Sequence, residues 1–379
     1  MIKQKVCACW GCCRKIYCYL PMAVLLFWVF YPFVLNLVSS NTELLDNRPL
    51  KTKPTDFGTH FSQNFTDYYN DTFAGRKKLI VKYVKLKQRL KIDTGQYFYG
   101  QHGWMFYDSA KVNNANSMLD YYATVKFDES ESQQMVAGLK LEKAFFERYG
   151  AQYMIVVAPN KENVYSEFMP ERMQKMRVSD YSLSDAGADY ANANGIRILN
   201  LKPVLLQAKN KVPYRLYYKK DTHWNSLGAY EGFYALMQDL QRLGAGGVLQ
   251  PLTSEMISSA GLVGQDMHPT DKDMSYAVKY LDGKSFEKTV VKAGKIIVYD
   301  NKNPVSDKVI LLSGDSFAEA LLPYLAKNYK RVVNVPNGLK DLKFYEDVMT
   351  TYKPDVVVKE IVERYFRLLV NAGKLYRQD

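Results

Sequence analysis

Two short stretches of this sequence hold side chains that can do nucleophilic chemistry together. Ser313-Gly314-Asp315-Ser316-Phe317 follows an apolar run at 309–312 and precedes a helical pattern over 318–327. A serine at such a junction sits on a tight turn at a helix N-terminus, where backbone N–H groups and the helix dipole stabilise an oxyanion, so Ser316 is a candidate nucleophile. Ser and Asp are also the commonest helix caps, and taken alone the motif is equally a cap. A hydroxyl needs a base, and the chain has four histidines: His60, His102, His223 and His268. His60 falls in a Pro/Gly stretch and His102 in a hairpin turn. His223 lies in Asp221-Thr222-His223-Trp224-Asn225, between an apolar run at 214–218 and a helical pattern at 226–240. His268 lies in Asp266-Met267-His268-Pro269, in a Gly/Pro-rich loop with no strand before it. In extended chain an Asp two residues before a His projects to the same side and accepts its second ring N–H, fixing tautomer and orientation. The strand–turn–helix setting selects Asp221 and His223, and leaves His268 as a loop residue.

The elements that must bring these groups together are legible in outline. With 379 residues, 47% of them hydrophobic and 24% charged, the chain has ample material for a packed core, which excludes a disordered or collagen-like protein. Near-continuous Val/Ile/Leu runs at 153–158, 196–199, 295–299, 309–312, 331–335 and 355–359 alternate with helical patterns. Such runs predict an α/β fold with a parallel sheet covered by helices on both faces. Open sheets of this kind bind ligands beyond the carboxyl ends of their strands, where both motifs fall. A helix is expected over 61–90 and another over 131–149, the latter ended by Gly150. QYFYGQHGWMFYD at 96–108 reads as a β-hairpin.

Residues 16–38 form a 23-residue run without charge, and about 20 apolar residues span a bilayer as a helix. Lys3, Lys5, Arg14 and Lys15 precede it with no acidic residue, and Glu43 and Asp46 follow. The positive-inside rule then puts 1–15 in the cytoplasm and everything beyond about residue 41 outside, on a single-pass anchor in the cell membrane. Small residues at Val38-Ser39-Ser40 allow a cleaved signal peptide as the competing reading, although the run exceeds the roughly 7–15 residues of a typical h-region. Residues 39–60 read as a tether and 61–379 as the catalytic domain. All five cysteines (Cys7, Cys9, Cys12, Cys13, Cys18) lie at or before the start of the apolar run, so the outer part has no disulfides. Their spacing does not match a zinc pair and no His or acid accompanies them, so no metal site is expected. Of the formal charge of +12, the four basic residues before the anchor carry 4, leaving +8 outside. The densest basic run, 76–91 (RKKLIVKYVKLKQRLK), reads as an amphipathic helix with a solvated basic face, or as a contact for anionic lipid or an acidic polymer. Nucleic acid is not an expected partner outside the cell.

The order Asp-x-His-Trp-Asn followed by Gly-Asp-Ser-Phe resembles the AlgX/AlgJ family of SGNH-type polysaccharide O-acetyltransferases. In ordinary SGNH hydrolases the serine block comes first, so the resemblance is to a circularly permuted version of that fold. Other matching pieces are Asp46-Asn47-Arg48, Tyr68-Tyr69-Asn70-Asp71-x-Phe73 with Arg76, Gly103-Trp104-Met105-Phe106-Tyr107, Ala158-Pro159-Asn160-Lys161 with Val164-Tyr165, and Glu360-Ile361-Val362-Glu363-Arg364. Together they span most of 46–366.

The resemblance implies a membrane-anchored, periplasmic or extracellular enzyme that esterifies an exported polysaccharide. Ser316 corresponds to the nucleophile, His223 to the general base and Asp221 to its orienting acid. No cofactor is implied, because the acetyl group comes through a multi-pass acyltransferase of the MBOAT type. The permuted order puts two further oxyanion blocks after the runs at 331–335 and 355–359, which brings Asn337, Gly338, Glu360 and Arg364 near the site. Glu360, Glu363 and Arg364 can equally form helix-surface pairs. Lys161 can hold a carboxylate or be solvated. Only about 60 residues follow Ser316, closer to AlgJ than to AlgX with its added carbohydrate-binding module. The same triad supports an extracytoplasmic carbohydrate esterase, and a non-catalytic export scaffold is a third reading. D-alanyl-transfer proteins of the DltD kind match the Asp-x-His-Trp pattern less well.

Overall fold

The computed structural model describes residues 19–27, 30–31, 34, 50–90, 92, 97–109, 117–211, 215–247, 257–261, 276–278, 286–291, 296–336 and 341–376. The chain divides into two compact units, Met1–Ile92 and Asp93–Asp379. The helices expected to open the catalytic domain therefore belong to the first unit. Of the apolar run 16–38, residues 19–27, 30–31 and 34 are helical and the rest lie outside the described residues, as do the cysteines and positions 39–49 of the expected tether. Among the described residues no helix is long and apolar enough to cross a membrane.

In the first unit, α1 (Phe61–Thr72) and α2 (Arg76–Leu90) replace the single helix expected over 61–90. Phe73 is extended (ψ 139°) and Gly75 takes φ +81°, a left-handed conformation that costs a residue without Cβ little and stops a helix. Rings four residues apart stack along α1: Phe57 on Phe61 at 4.6 Å, Phe61 on Phe65 at 5.9 Å and Tyr69 on Phe73 at 6.0 Å.

The second unit begins with a two-stranded hairpin, β1 (Tyr97–Tyr99) and β2 (Met105–Tyr107), with Tyr97 opposite Tyr107. Its core is a seven-stranded sheet of order β4-β3-β11-β9-β10-β8-β7. The strands are β3 (Gln152–Ala158), β4 (Ile198–Asn200), β7 (Phe286–Val291), β8 (Ile296–Asn301), β9 (Ser306–Gly314), β10 (Tyr329–Pro336) and β11 (Val356–Val362). A separate small pair, β5 (Ile257–Gly261) and β6 (Tyr276–Val278), is antiparallel. In the large sheet β4, β3, β11, β9 and β10 are mutually parallel. β8 and β7 run antiparallel at one edge, so the sheet is mixed rather than parallel throughout. The reason is chain length. Only 302–305 separate β8 from β9 and only 292–295 separate β7 from β8, whereas a parallel crossover needs a dozen or more residues.

Both faces of the sheet are buried, which is why its strands read as continuous apolar runs. In β3, Met154, Val156 and Ala158 pack into one core and Tyr153, Ile155 and Val157 into the other. The first core is closed by α9 (Ser226–Arg242) and α11 (Leu322–Asn328), the second by α4 (Glu129–Glu147) and α7 (Leu183–Ala193). Burying each such aliphatic side chain is worth roughly 1.5–3 kcal/mol. The helix expected over 318–327 is two pieces, α10 (Ser316–Glu319) and α11. Pro323, in the first turn of α11, lacks the N–H that a continuous helix would use.

Candidate active site

β9 ends at Gly314, and the chain turns at once into the short helix α10, whose first residue is Ser316. Asp315 caps it, accepting from the Phe317 N–H at 2.8 Å, and its other oxygen accepts from the Val362 N–H at the end of β11, at 3.0 Å. The Asp315 N–H donates to Glu360 Oε2 at 3.1 Å. Gly314 has no alternative here: a Cβ would stand 2.6 Å from Ala318 Cβ and 2.7 Å from Glu360 Oε2. Phe317 is fully buried while Ser316 is exposed, so the packing that fixes the turn leaves its hydroxyl in solvent.

Asp221 and His223 lie on a tight loop and not, as expected, just past a strand of the sheet. The loop closes on itself through a bridge between Tyr217 and Trp224, with the Asn225 N–H donating to Leu216 O at 2.9 Å. Asn225 caps α9, accepting from the N–H groups of Leu227 and Gly228, both at 3.1 Å. The side chains of Asp221 and His223 meet through a turn and not along an extended segment. The His223 backbone N–H donates to Asp221 Oδ1 at 2.8 Å, and the same oxygen lies 2.6 Å from the ring Nδ1.

The three groups form one hydrogen-bonded line. His223 Nε2 lies 2.7 Å from Ser316 Oγ, across 93 residues of sequence. An ionised carboxylate only accepts, which puts the ring proton on Nδ1 and leaves Nε2 free to take the Ser316 proton. Burial alone would raise the Asp221 pKa, but hydrogen bonds and charge from His223, with a smaller contribution from Lys161, outweigh it and hold the carboxyl below its usual range. Asp221 is 5% exposed and the His223 side chain 28% exposed. One end of the line is thus dry and the other reachable.

Lys161 is neither solvated nor free to hold a substrate carboxylate, the two alternatives left open by the sequence. It is 1% exposed at the start of α5 (Lys161–Val164), just past β3. Its ammonium donates to the backbone carbonyls of Tyr218 at 3.1 Å, Lys219 at 3.2 Å and Asp221 at 2.6 Å. The rings of Phe106 and Trp104 lie 5.2 and 5.6 Å from it. A buried ammonium is tolerated because donors and charge are matched, and it staples the loop that carries Asp221.

Arg364, expected either near the site or in a helix-surface pair, is partly buried. Nη1 donates to Asn160 Oδ1 at 3.3 Å, and the guanidinium carbon lies 5.5 Å from the Phe317 ring and 5.4 Å from the Tyr107 ring. Glu363 is a buried junction rather than a surface partner. It accepts from the Asn160 N–H and Asn163 Nδ2, each at 2.8 Å, and from the hydroxyls of Ser182 at 3.1 Å and Ser184 at 2.8 Å. Glu360 is buried beneath the Ser316 turn, and burial, then the charge of Asp315, push its pKa well up. Asn337, Gly338 and His268 lie outside the described residues. Sequence reasoning missed Tyr97 and Tyr107, whose rings pair at 5.5 Å across the hairpin. Burial and then the charge of Asp221 push the Tyr97 hydroxyl up, and Arg364 lies over Tyr107. The aromatic runs flanking Gly100 and Gly103 carried that signal, but their face was not legible.

An alcohol, an imidazole and a carboxylate in this order can pass an acyl group through serine. The pattern of a family described as SGNH hydrolase-like domain, acetyltransferase AlgX, matches residues 98–335. No curated protein matches the chain. Similar solved structures include the O-acetyltransferase domain of Pseudomonas putida AlgJ, with 20% identity, coverage of 72% of this chain and 92% of that one, and a TM-score of 0.43. Bacillus cereus PatB1 has 18% identity, coverage of 68% and 95%, and a TM-score of 0.48. Pseudomonas aeruginosa AlgX has 17% identity, coverage of 74% and 64%, and a TM-score of 0.43. With more than half of its length matched by that pattern, the chain belongs to the family of SGNH hydrolase-like acetyltransferases that AlgX represents.

Proposed function

We propose that this chain is a membrane-anchored, extracytoplasmic O-acetyltransferase that esterifies hydroxyls of an exported polysaccharide through an acetyl-serine at Ser316. The observation that carries the reading is the line Asp221–His223–Ser316, with contacts of 2.6 and 2.7 Å. His223 Nε2 takes the Ser316 proton as Oγ attacks the acetyl carbonyl of the donor. The tetrahedral adduct collapses, the leaving group departs with the proton from His223, and the acetyl group stays on Oγ. A sugar hydroxyl then gives its proton to the same nitrogen and attacks the ester, and Ser316 regains its proton as it leaves. Asp221 stays ionised and balances the imidazolium in both halves.

The Ser316 N–H, in the first turn of α10, is suited to receive charge from the adduct. Arg364 with Asn160 supplies further donors beside Phe317, and Asn337 and Gly338 remain proposed contributors after β10. The chain order, with Asp221 and His223 before Ser316, is that of a permuted SGNH fold. The 23-residue uncharged run at 16–38 supports the anchor, with 1–15 inside. An MBOAT-type partner supplies the acetyl group, and no cofactor takes part.

The test is to incubate the purified chain with an activated acetyl ester and look by mass spectrometry for an added acetyl group on the peptide bearing Ser316. Polysaccharide should discharge it faster than buffer does, and Ser316→Ala should abolish it. Discharge by buffer alone at the same rate would make the chain an esterase. A Ser316→Ala protein of undiminished function would make it a scaffold.

A further inference from the structure

Within the first unit, α2 carries a feature that acyl transfer does not use. Between Arg76 and Lys91 the sequence holds eight basic residues and no acidic one. On this helix Ile80, Tyr83, Leu86 and Leu90 are exposed at 37%, 57%, 55% and 58%. At 3.6 residues per turn these four fall within an arc of about 120°. Lys78, Lys82 and Arg89, all exposed, lie together along one border of that arc, and Lys87 reaches over the Tyr83 ring at 4.7 Å. Arg76 and Lys87 project from within the same arc on long apolar stems, and water gains nothing from the exposed Ile, Tyr and two Leu beside them, so this face marks a surface that something apolar covers.

We propose that α2 lies in the plane of an anionic lipid surface, its stripe among the acyl chains and its lysines and arginines among the headgroups. Charge selects this occupant. A second copy of the same helix would bring two sets of eight cations together with no acid between them. An acidic polysaccharide would satisfy the cations but leave the four apolar side chains in water. A lipid surface matches both halves of the pattern, because basic side chains with apolar stems reach the headgroups while the stripe is buried. Such an attachment acts alongside the anchor proposed above and does not depend on it: the anchor fixes the chain to the bilayer, and α2 responds to lipid charge.

The full chain, with its five native cysteines changed to serine, is reconstituted into phosphatidylcholine vesicles with or without about one-third phosphatidylglycerol. A solvatochromic dye is placed by Tyr83→Cys, Leu86→Cys or, as the control, Lys82→Cys. The expected result is a blue shift and several-fold stronger quenching by nitroxide-labelled lipid at 83 and 86 than at 82. The effect should appear in the anionic vesicles and weaken in about 1 M salt, where the screening length falls to about 3 Å. A shift at 83 that nitroxide-labelled lipid does not quench would mean that protein covers the stripe, and excimers from a pyrene at 83 would identify a second copy. A shift only on adding acidic polysaccharide would assign the face to polymer, and no shift in any medium would leave it in water. Each of these four results overturns the proposal. The reconstituted chain stays with the vesicles through 16–38 in every arm if the anchor exists, so vesicle flotation in salt tests that reading separately.

Discussion

Trp224 Nε1 donates to the carbonyl of Phe317 at 3.2 Å. Each residue is the chain neighbour of a reacting group, Trp224 of His223 and Phe317 of Ser316. The bond therefore ties the loop that holds the base to the helix that holds the alcohol. The indole is 2% exposed, its ring lies 5.3 Å from that of Phe317, and the His223 ring lies 5.1 Å from Phe317 as well.

Replacing Trp224 by Phe keeps an aromatic ring in the core and removes the tie. The lost buried hydrogen bond and part of the ring volume should cost about 1–3 kcal/mol of stability. Loosening the distance between Nε2 and Oγ should lower kcat roughly tenfold to hundredfold with KM nearly unchanged. Steady-state acetyl transfer beside a urea titration checks both; unchanged kcat in a protein destabilised as expected would refute the coupling.

Lys161→Met removes the ammonium while filling its space. Three carbonyls lose a charged donor, at a cost of about 3 kcal/mol, less than three separate bonds because water can reach part of the loop. The sign with pH is specific. Asp221 has a depressed pKa in the folded protein, so its contribution to stability is present above the unfolded carboxyl pKa and is lost as pH falls through the folded one. Without the ammonium the folded pKa rises, and that loss begins at higher pH. The acid limb of kcat should move upward with it. A variant that is less stable but keeps the wild-type acid limb would reduce Lys161 to packing.

Glu162 is buried beside Lys161, and burial pushes its pKa up to about 7. The sign is opposite to that of Asp221: the folded state holds a proton that the unfolded state has released, so stability falls as pH rises from the unfolded carboxyl pKa to about 7. Glu162→Gln cannot ionise. Relative to wild type it should gain stability over that interval, by at most about 3 kcal/mol. Denaturant unfolding of both proteins at acidic and neutral pH measures the difference, and parallel pH curves would contradict it.

The strands were legible because burial on both faces of the sheet demands near-continuous apolar runs, as in most of β3 and the first three residues of β11. Their directions were less so, since antiparallel β8 has the same apolar content as its parallel neighbours and only the short connection at 302–305 betrays its reversal. β7 escaped notice because FEKTVV at the sheet edge is half polar.

Of the candidate site, residue types at strand ends were readable and their company was not. Ser316, His223 and Asp221 stand out because few residue types do their chemistry and because each pair sits at a chain reversal. Lys161 stayed open between a substrate carboxylate and solvent, because only coordinates reveal three carbonyls closing around it. For Glu363 and Arg364 a helix-surface pair stayed open beside a place near the site, since their partners, Asn160, Asn163, Ser182 and Ser184, are some 180–204 residues away in sequence.

β11 sits between β3 and β9, in the middle of the sheet, yet it is the last strand along the chain. During synthesis, β3 with β4 and β9 with β10 are two half-sheets that have no common edge until 356–362 leave the ribosome. A chain that stops before residue 356 therefore carries two half-sheets with unpaired facing edges rather than a slightly shortened enzyme, and the sheet becomes continuous only once 356–362 are in place.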